Sequence, residues 1–382
     1  MISVKRIVMP LVVASIMPSS ILAEGLERVD IDPSFLFEPG NHVEYSWGQV
    51  NPSIPATLGG VNIENVAQSF TVNNAAAKTS IGDKIDIGFW YTNNGNGVAI
   101  DWGDTPIGAQ LEMPTLAGMV RYRLTDSMSI IGGLKRVTIN DGGTFETLMD
   151  LDGTAGNGVG GSDSEVLYTA TASTATGTTR VYGIVTEIPE IALRMTLLME
   201  GDIALNVDTN FNQTDITGAN SVAGAAGTTR AGIGDATTIS FQTGIAADTL
   251  LFGSLKMSKW QNDQIYVPIS IGGNVITSPT AVTDFEDGQS YTIGVGRKFT
   301  DNFSGSVSYF RDPASDCDSV SPLSPKCETQ SINLGAKYSV SDNMAINFGA
   351  TWTQYGDATV SNGATTSDSN KTNYGFKLSY KF

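Results

Sequence analysis

Few residues in this chain are suited to covalent chemistry. Its single histidine is His42, which would have to be the general base of any hydrolase, and no serine motif accompanies it to define a nucleophile. His42 is therefore read as an interfacial or lumenal residue. The same count excludes metal sites built on several histidines. The stretch GNGVGG (156–161) has the G-x-G-x-x-G spacing, but a polar loop precedes it and no helix follows, so the context of a dinucleotide loop is missing. DLDG (150–153) begins like a calcium loop without the later acidic positions of an EF-hand. Cys317 and Cys327 share one stretch, DPASDCDSVSPLSPKCETQ. In an exported chain a disulfide pinning this loop is the favoured reading, contributing about 3 kcal/mol or less for so short a ring. The alternative is two free thiols in the loop. No enzymatic activity and no cofactor is expected.

The elements that would position any site read as strands. The chain ends on YGFKLSYKF, where Tyr374, Phe376, Leu378, Tyr380 and Phe382 alternate with small or charged residues. A period of two places the two classes on opposite faces of an extended strand. Met344, Ile346, Phe348, Ala350 and Trp352 repeat the pattern, as do Ile332, Leu334, Ala336 and Tyr338, and Ile85, Ile87, Phe89 and Tyr91. Short punctuation separates such runs at SIGDK (80–84), LTDSM (124–128), EIPE (187–190), AADT (246–249), FTDN (299–302) and SVSDN (339–343). Asp, Asn, Gly and Pro favour tight reversals. Between these turns lie long Gly/Thr/Asn/Ser-rich connections, near 51–66, 93–108, 141–178, 208–235, 261–288, 312–328 and 356–371. The stretch 165–187 reads either as a longer strand or as a loop excursion. Six short and seven long connections join fourteen strands, an even number that leaves both ends on one side.

Short turns at one end, long loops at the other and two-faced strands define an all-β, antiparallel up-and-down transmembrane barrel. The cause is that hydrocarbon offers backbone groups no partners, so a sheet crosses a bilayer only when closed. The start of the chain agrees with export. Lys5 and Arg6 precede an apolar stretch, Ile7 to Met17, too short for the roughly 20 residues of a membrane helix, and Ile21-Leu22-Ala23 suits cleavage. Residues 1–23 are thus expected to be a signal peptide, 24–40 a plug-like lumenal segment and 41–382 the barrel. The formal net charge is −17, which makes nucleic acid an improbable partner.

FLFEPGNHVEYSWGQVNPSI (35–54), EIPEIALRM (187–195), FQTGIAADTLLFGSLKMSKW (241–260) and GVGRKFTDNFSGSVSY (294–309) resemble members of the outer-membrane long-chain fatty-acid transporter family, which also includes toluene and xylene channels. The resemblance implies a fourteen-stranded barrel in the outer membrane of a Gram-negative bacterium, with both termini periplasmic. It implies passive uptake of hydrophobic compounds, long-chain fatty acids foremost, through an apolar pocket and an opening in the barrel wall. A general diffusion porin for polar solutes is the alternative, because the inward positions of the clearest strands are Asn, Gly, Thr, Ser and Lys. The family opens its wall at a kink in the third strand, and YTNNGNG (91–97) holds glycines that permit either a kink or an ordinary loop start. The usual Asn-Pro-Ala plug motif is missing. Phe35, Leu36 and Phe37 are the candidates for contacting an apolar ligand in the lumen, or else they anchor the segment to the inner wall. Implied partners are hydrophobic small molecules, outer-membrane lipid and, through the C-terminal aromatic strand, the barrel-assembly machinery.

Overall fold

A computed structural model describes residues 25–150, 165–215, 221–313 and 316–382. The expected signal peptide and the motifs GNGVGG and, beyond Asp150, DLDG lie outside the described residues.

Fourteen strands close into a barrel: β1 (His42–Ser53), β2 (Phe70–Ile81), β3 (Ile85–Asp101), β4 (Gly108–Arg123), β5 (Met128–Ile139), β6 (Ala175–Ile188), β7 (Leu193–Glu200), β8 (Ala236–Ala246), β9 (Thr249–Ser258), β10 (Gly288–Lys298), β11 (Phe303–Asp312), β12 (Thr329–Ser339), β13 (Met344–Tyr355) and β14 (Asn370–Lys381). Each pairs antiparallel with its neighbours, and β14 returns to β1 in a register running from His42 opposite Lys381 to Ser53 opposite Asn370. One further bond, from the Phe382 amide to the Asn41 carbonyl at 3.1 Å, carries the seam to the last residue. The terminal alternation thus belongs to a strand paired on both edges.

The six tight turns fall where the sequence places them, helped at three by left-handed residues, Gly82 (φ 59), Ala192 (φ 50) and Asp248 (φ 56). The long connections carry more structure than composition suggests. Strands Gly143–Asp150, Glu165–Ala172, Ile203–Asp215 and Val222–Ile233 extend the sheet beyond the barrel wall, starting from Gly108–Gln110 of β4. The stretch 165–187 is two strands. The connection expected at 93–108 shrinks to residues 102–107, because β3 continues to Asp101.

Outward positions are apolar along the wall: Phe89, Tyr91, Leu134, Ile332, Leu334, Phe348, Trp352 and Tyr374 are all exposed. Trp47 packs on Tyr374 and Phe376, at centroid distances of 6.1 and 6.0 Å, across the β1–β14 seam. Such a band requires hydrocarbon outside. Leu334 sits at the midpoint of β12, opposite Val307 and Ala350. Leu334→Arg is expected to cost roughly 2–4 kcal/mol of folding stability in a bilayer, while Leu334→Phe leaves it unchanged. Urea titration of the folded fraction in lipid vesicles checks this pair.

Candidate functional site

The inner wall has two halves of different chemistry. On β1 to β7, Val50, Val72, Ala76, Trp90, Ala117, Met119, Ile131, Val181, Val185 and Leu198 form one buried cluster with Val29, Ile31, Phe35 and Leu36 of the N-terminal segment. On β11 to β13 small polar inward residues bond one another: Ser331 with Thr353 at 2.8 Å, Thr351 to Asn333 at 2.8 Å, and Asn333 to Ser308 at 3.2 Å.

The N-terminal segment occupies the lumen. Asp32 caps a 3-10 turn, Pro33–Phe37, by accepting the Ser34 amide at 2.9 Å. This turn presses Phe35 and Leu36 onto Gly88 of β3, where an added Cβ would lie 2.4 Å from the Phe35 ring. Phe37 is instead half-buried, between the guanidinium groups of Arg121 and Arg194 at 4.5 and 4.1 Å. Phe35 and Leu36 are therefore packed against the wall, and Phe37 lies in a charged setting.

Ion pairs fix both ends of the segment. Glu27 and Asp30 bind Lys256 of β9, beside a Lys135–Glu200 pair at 2.8 Å. Glu38 binds Lys381 at 2.6 Å. Burial works to raise the Glu38 carboxyl, but the Lys381 bond and charge, with His42 and Lys337 nearby, hold it below the usual range. His42 itself is buried in the lumen, 3.1 Å from Glu44, which also pairs with Lys377 at 3.4 Å. That arrangement gives the imidazole a structural partner in Glu44.

The wall is interrupted between β2 and β3. Thr92 faces Thr115 and Asn96 faces Met113, so Asn93, Asn94 and Gly95 together oppose only Pro114. Pro114 has no N–H for the ladder, and Gly97 takes a φ of 149°, which non-glycine residues rarely adopt. Pairing between β2 and β3 ends at Asn74 and Thr92. It resumes above β2, where Ala67 bridges Ile100 and the Gln68 amide donates to the Ala99 carbonyl at 2.9 Å. The gap is filled from inside. The amides of Arg28 and Val29 donate to the Gly95 carbonyl at 2.9 and 3.0 Å, and the Gly97 amide donates to the Leu26 carbonyl at 2.8 Å. Arg28 lies 4.1 Å over the Phe70 ring and donates to Asn94 Oδ1 at 2.7 Å. Burial draws this guanidinium down to about 10, against the opposing charge of Glu112. Asn74 Oδ1, Asn94 Nδ2, Asn96 Oδ1 and Thr115 Oγ1 are buried around the gap without hydrogen-bond partners. Such orphans are rare in well-packed walls.

Above the gap is an apolar cavity of about 90 Å³. Val98 of β3, Ala109 and Met113 of β4, Ile139 of β5, Phe145, Val207, Val267 and Leu323 line it, with Leu26 on its floor. Leu26 thus touches both cavity and gap. Sequence reasoning missed these residues because it placed Phe145 and Val267 in long connections and ended the strand that holds Val207 near residue 208. The signal was present in IALNVDTNF (203–211), where Ile203, Leu205, Val207, Thr209 and Phe211 alternate with Ala and polar residues and are all buried.

Fold and site together define a closed transmembrane barrel with a filled lumen, an interrupted third strand and an apolar cavity. Its fold is that of solved hydrophobic-compound channels. A FadL homologue from Pseudomonas aeruginosa matches with a TM-score of 0.74 at 13% identity, over 91% of this chain and 92% of that one. The Pseudomonas putida toluene transporter TodX matches at 0.68 and 12% identity, over 91% and 92%. The monoaromatic hydrocarbon channel CymD matches at 0.62 and 11% identity, over 90% and 88%. No protein-family model and no curated protein sequence matches this chain.

Proposed function

We propose that this protein is a passive outer-membrane channel through which hydrophobic compounds enter the cell. The observation that carries the reading is the apolar cavity, whose floor, Leu26, belongs to the segment that fills the gap between β2 and β3. A ligand that displaces this segment gains a path from the cavity into the wall. With its termini and short turns on the periplasmic side, the barrel offers the cavity outward among the long loops. The fold it shares with the P. aeruginosa FadL homologue, TodX and CymD supports the reading. Long-chain fatty acids are the leading substrate by sequence resemblance, with Phe35 and Leu36 contacting the chain once the segment moves. At about 90 Å³ the cavity is smaller than the roughly 150 Å³ that holds benzene in another protein. It therefore takes only the end of an acyl chain, or a small ring, until Leu26 or Leu323 shifts. The aromatic C-terminal strand, facing lipid, is proposed as the element read by the barrel-assembly machinery.

The polar half of the wall favours a second reading, diffusion of polar solutes. Its Ser, Thr and Asn side chains are engaged with one another, and the segment lies across the lumen, which makes this the weaker reading. Uptake decides. Cells carrying the protein should accumulate a radiolabelled fatty acid or toluene faster than cells without it, and Ala109→Phe, which fills the cavity, should remove most of the difference while the barrel still folds. Unchanged uptake in the filled variant would remove the cavity from the route.

A further inference from the structure

A second cavity, of about 40 Å³, lies beside the disulfide that joins Cys317 and Cys327, whose Cα atoms are 5.4 Å apart. Five carboxylates line it: Asp284, Glu286, Asp312, Asp316 and Glu328. Among the described residues lining it, Lys326 is the one cation; it has a partner, and its charge also bears on Asp312. Glu328 is engaged by Arg311 at 2.6 Å, and Asp284 accepts from the Ser319 hydroxyl at 3.2 Å. Asp312, at the loop end of β11, differs. It is 5% exposed, and its Oδ1 is fully enclosed and accepts no hydrogen bond. An enclosed carboxylate oxygen without a donor is an acceptor left unmet.

The acidic cavity adjoins the apolar one. Gly25 lines the first and Leu26 the second; Ser321 and Ser324 line the first and Leu323 the second; Asp284 lines the first and Val282 the second. The same three short segments therefore border both a greasy chamber and an anionic one. A fatty-acid carboxylate entering the pair would meet an excess of negative charge. A metal ion is poorly served, because among the described residues no three carboxylate, imidazole or thiolate groups gather closely enough to hold one. A single ammonium group needs only one or two anionic acceptors and about the room of a water molecule.

We propose that Asp312 is the cation-accepting end of a composite site for apolar amines. The protonated amino group donates to Asp312 Oδ1, and the alkyl or aryl part lies in the adjoining cavity. This rests on the reading of that cavity as the route for hydrophobic compounds, and it adds a substrate class that carries positive charge.

The test compares four probes of similar shape on the detergent-purified protein at neutral pH: ethylbenzene, 2-phenylethanol, 2-phenylethylamine and 3-phenylpropanoate. Calorimetry or the fluorescence of Trp260, which packs 5.8 Å from Phe285 of the acidic cavity, reads the binding. The amine should bind about tenfold or more tightly than the alcohol, as expected for one charge-assisted bond, with the carboxylate weakest. Asp312→Asn should bring amine and alcohol together while ethylbenzene binding is kept. Equal binding of amine and alcohol by the unaltered protein, or a preference that survives in Asp312→Asn, would overturn the assignment and leave the channel reading standing. Failure of all four to bind would overturn both.

Discussion

Replacing Asp86 by alanine is expected to destabilise the barrel by about 3–5 kcal/mol, the cost of leaving buried cations without their anion. Asp86, on β3, is fully buried and is the hub of the turn end of the lumen. Lys78 lies 3.0 Å away, the Ser80 hydroxyl donates to it at 2.7 Å, and Arg121 stands 3.9 Å off. Arg123 approaches Oδ2 at 2.6 Å, a charge contact more than an aligned hydrogen bond. Lys78 also donates to the carbonyls of Glu38 and Gly40, so the same hub ties the N-terminal segment to the wall. A paired change, Lys78→Met with Asp86→Leu, should recover part of the loss, because an apolar pair of similar volume often replaces a buried ion pair without penalty while Arg121 and Arg123 still lack the carboxylate. Urea midpoints of the single and paired variants in lipid vesicles give the comparison. A single variant as stable as the parent would show that the hub is solvated.

The second large effect is expected at Lys256. It binds both Glu27 and Asp30, and Lys135 nearby is already engaged by Glu200. Lys256→Met strands the buried carboxylate of Glu27 and removes the partner of the half-exposed Asp30, about 3–5 kcal/mol against the docked segment. Barrel hydrogen bonds do not depend on this contact, so the loss is local. The segment should leave the wall from Leu26 to Asp30, become open to added protease and uncover the gap between β2 and β3. Ion current through reconstituted protein should rise with it. A variant whose segment resists protease as the parent does would place the anchoring in the apolar contacts of Val29, Phe35 and Leu36 instead.

The barrel was legible because the bilayer imposes its code one residue at a time. Runs such as Ile332–Tyr338 and Tyr374–Phe382 could not be mistaken, and Asp or Gly turns marked their ends. The site was less legible, for three physical reasons. Asn93–Gly95 reads as a loop start, since a bulge is recognisable only when the opposing residue, Pro114, is known to face it. The cavity draws on residues far apart in sequence, and its loop strands are buried on one face by partners that periodicity cannot name. Phe35, Leu36 and Phe37 stood out by composition, yet Leu26 and Arg28, two unremarkable residues nearer the start of the segment, reach the gap. The charges that dock the segment, Glu27 on Lys256 and Glu38 on Lys381, are single acidic residues in an acidic chain and carry no sequence signal of their own.

The central claim is that apolar molecules pass and ions do not. Ion current across a planar bilayer containing the unaltered protein, recorded in molar potassium chloride, tests it most directly. The expected record is flat, or broken only by brief small openings, in a preparation that still takes up toluene or a fatty acid. A large, steady current through each inserted molecule would contradict it and identify a water-filled pore for polar solutes.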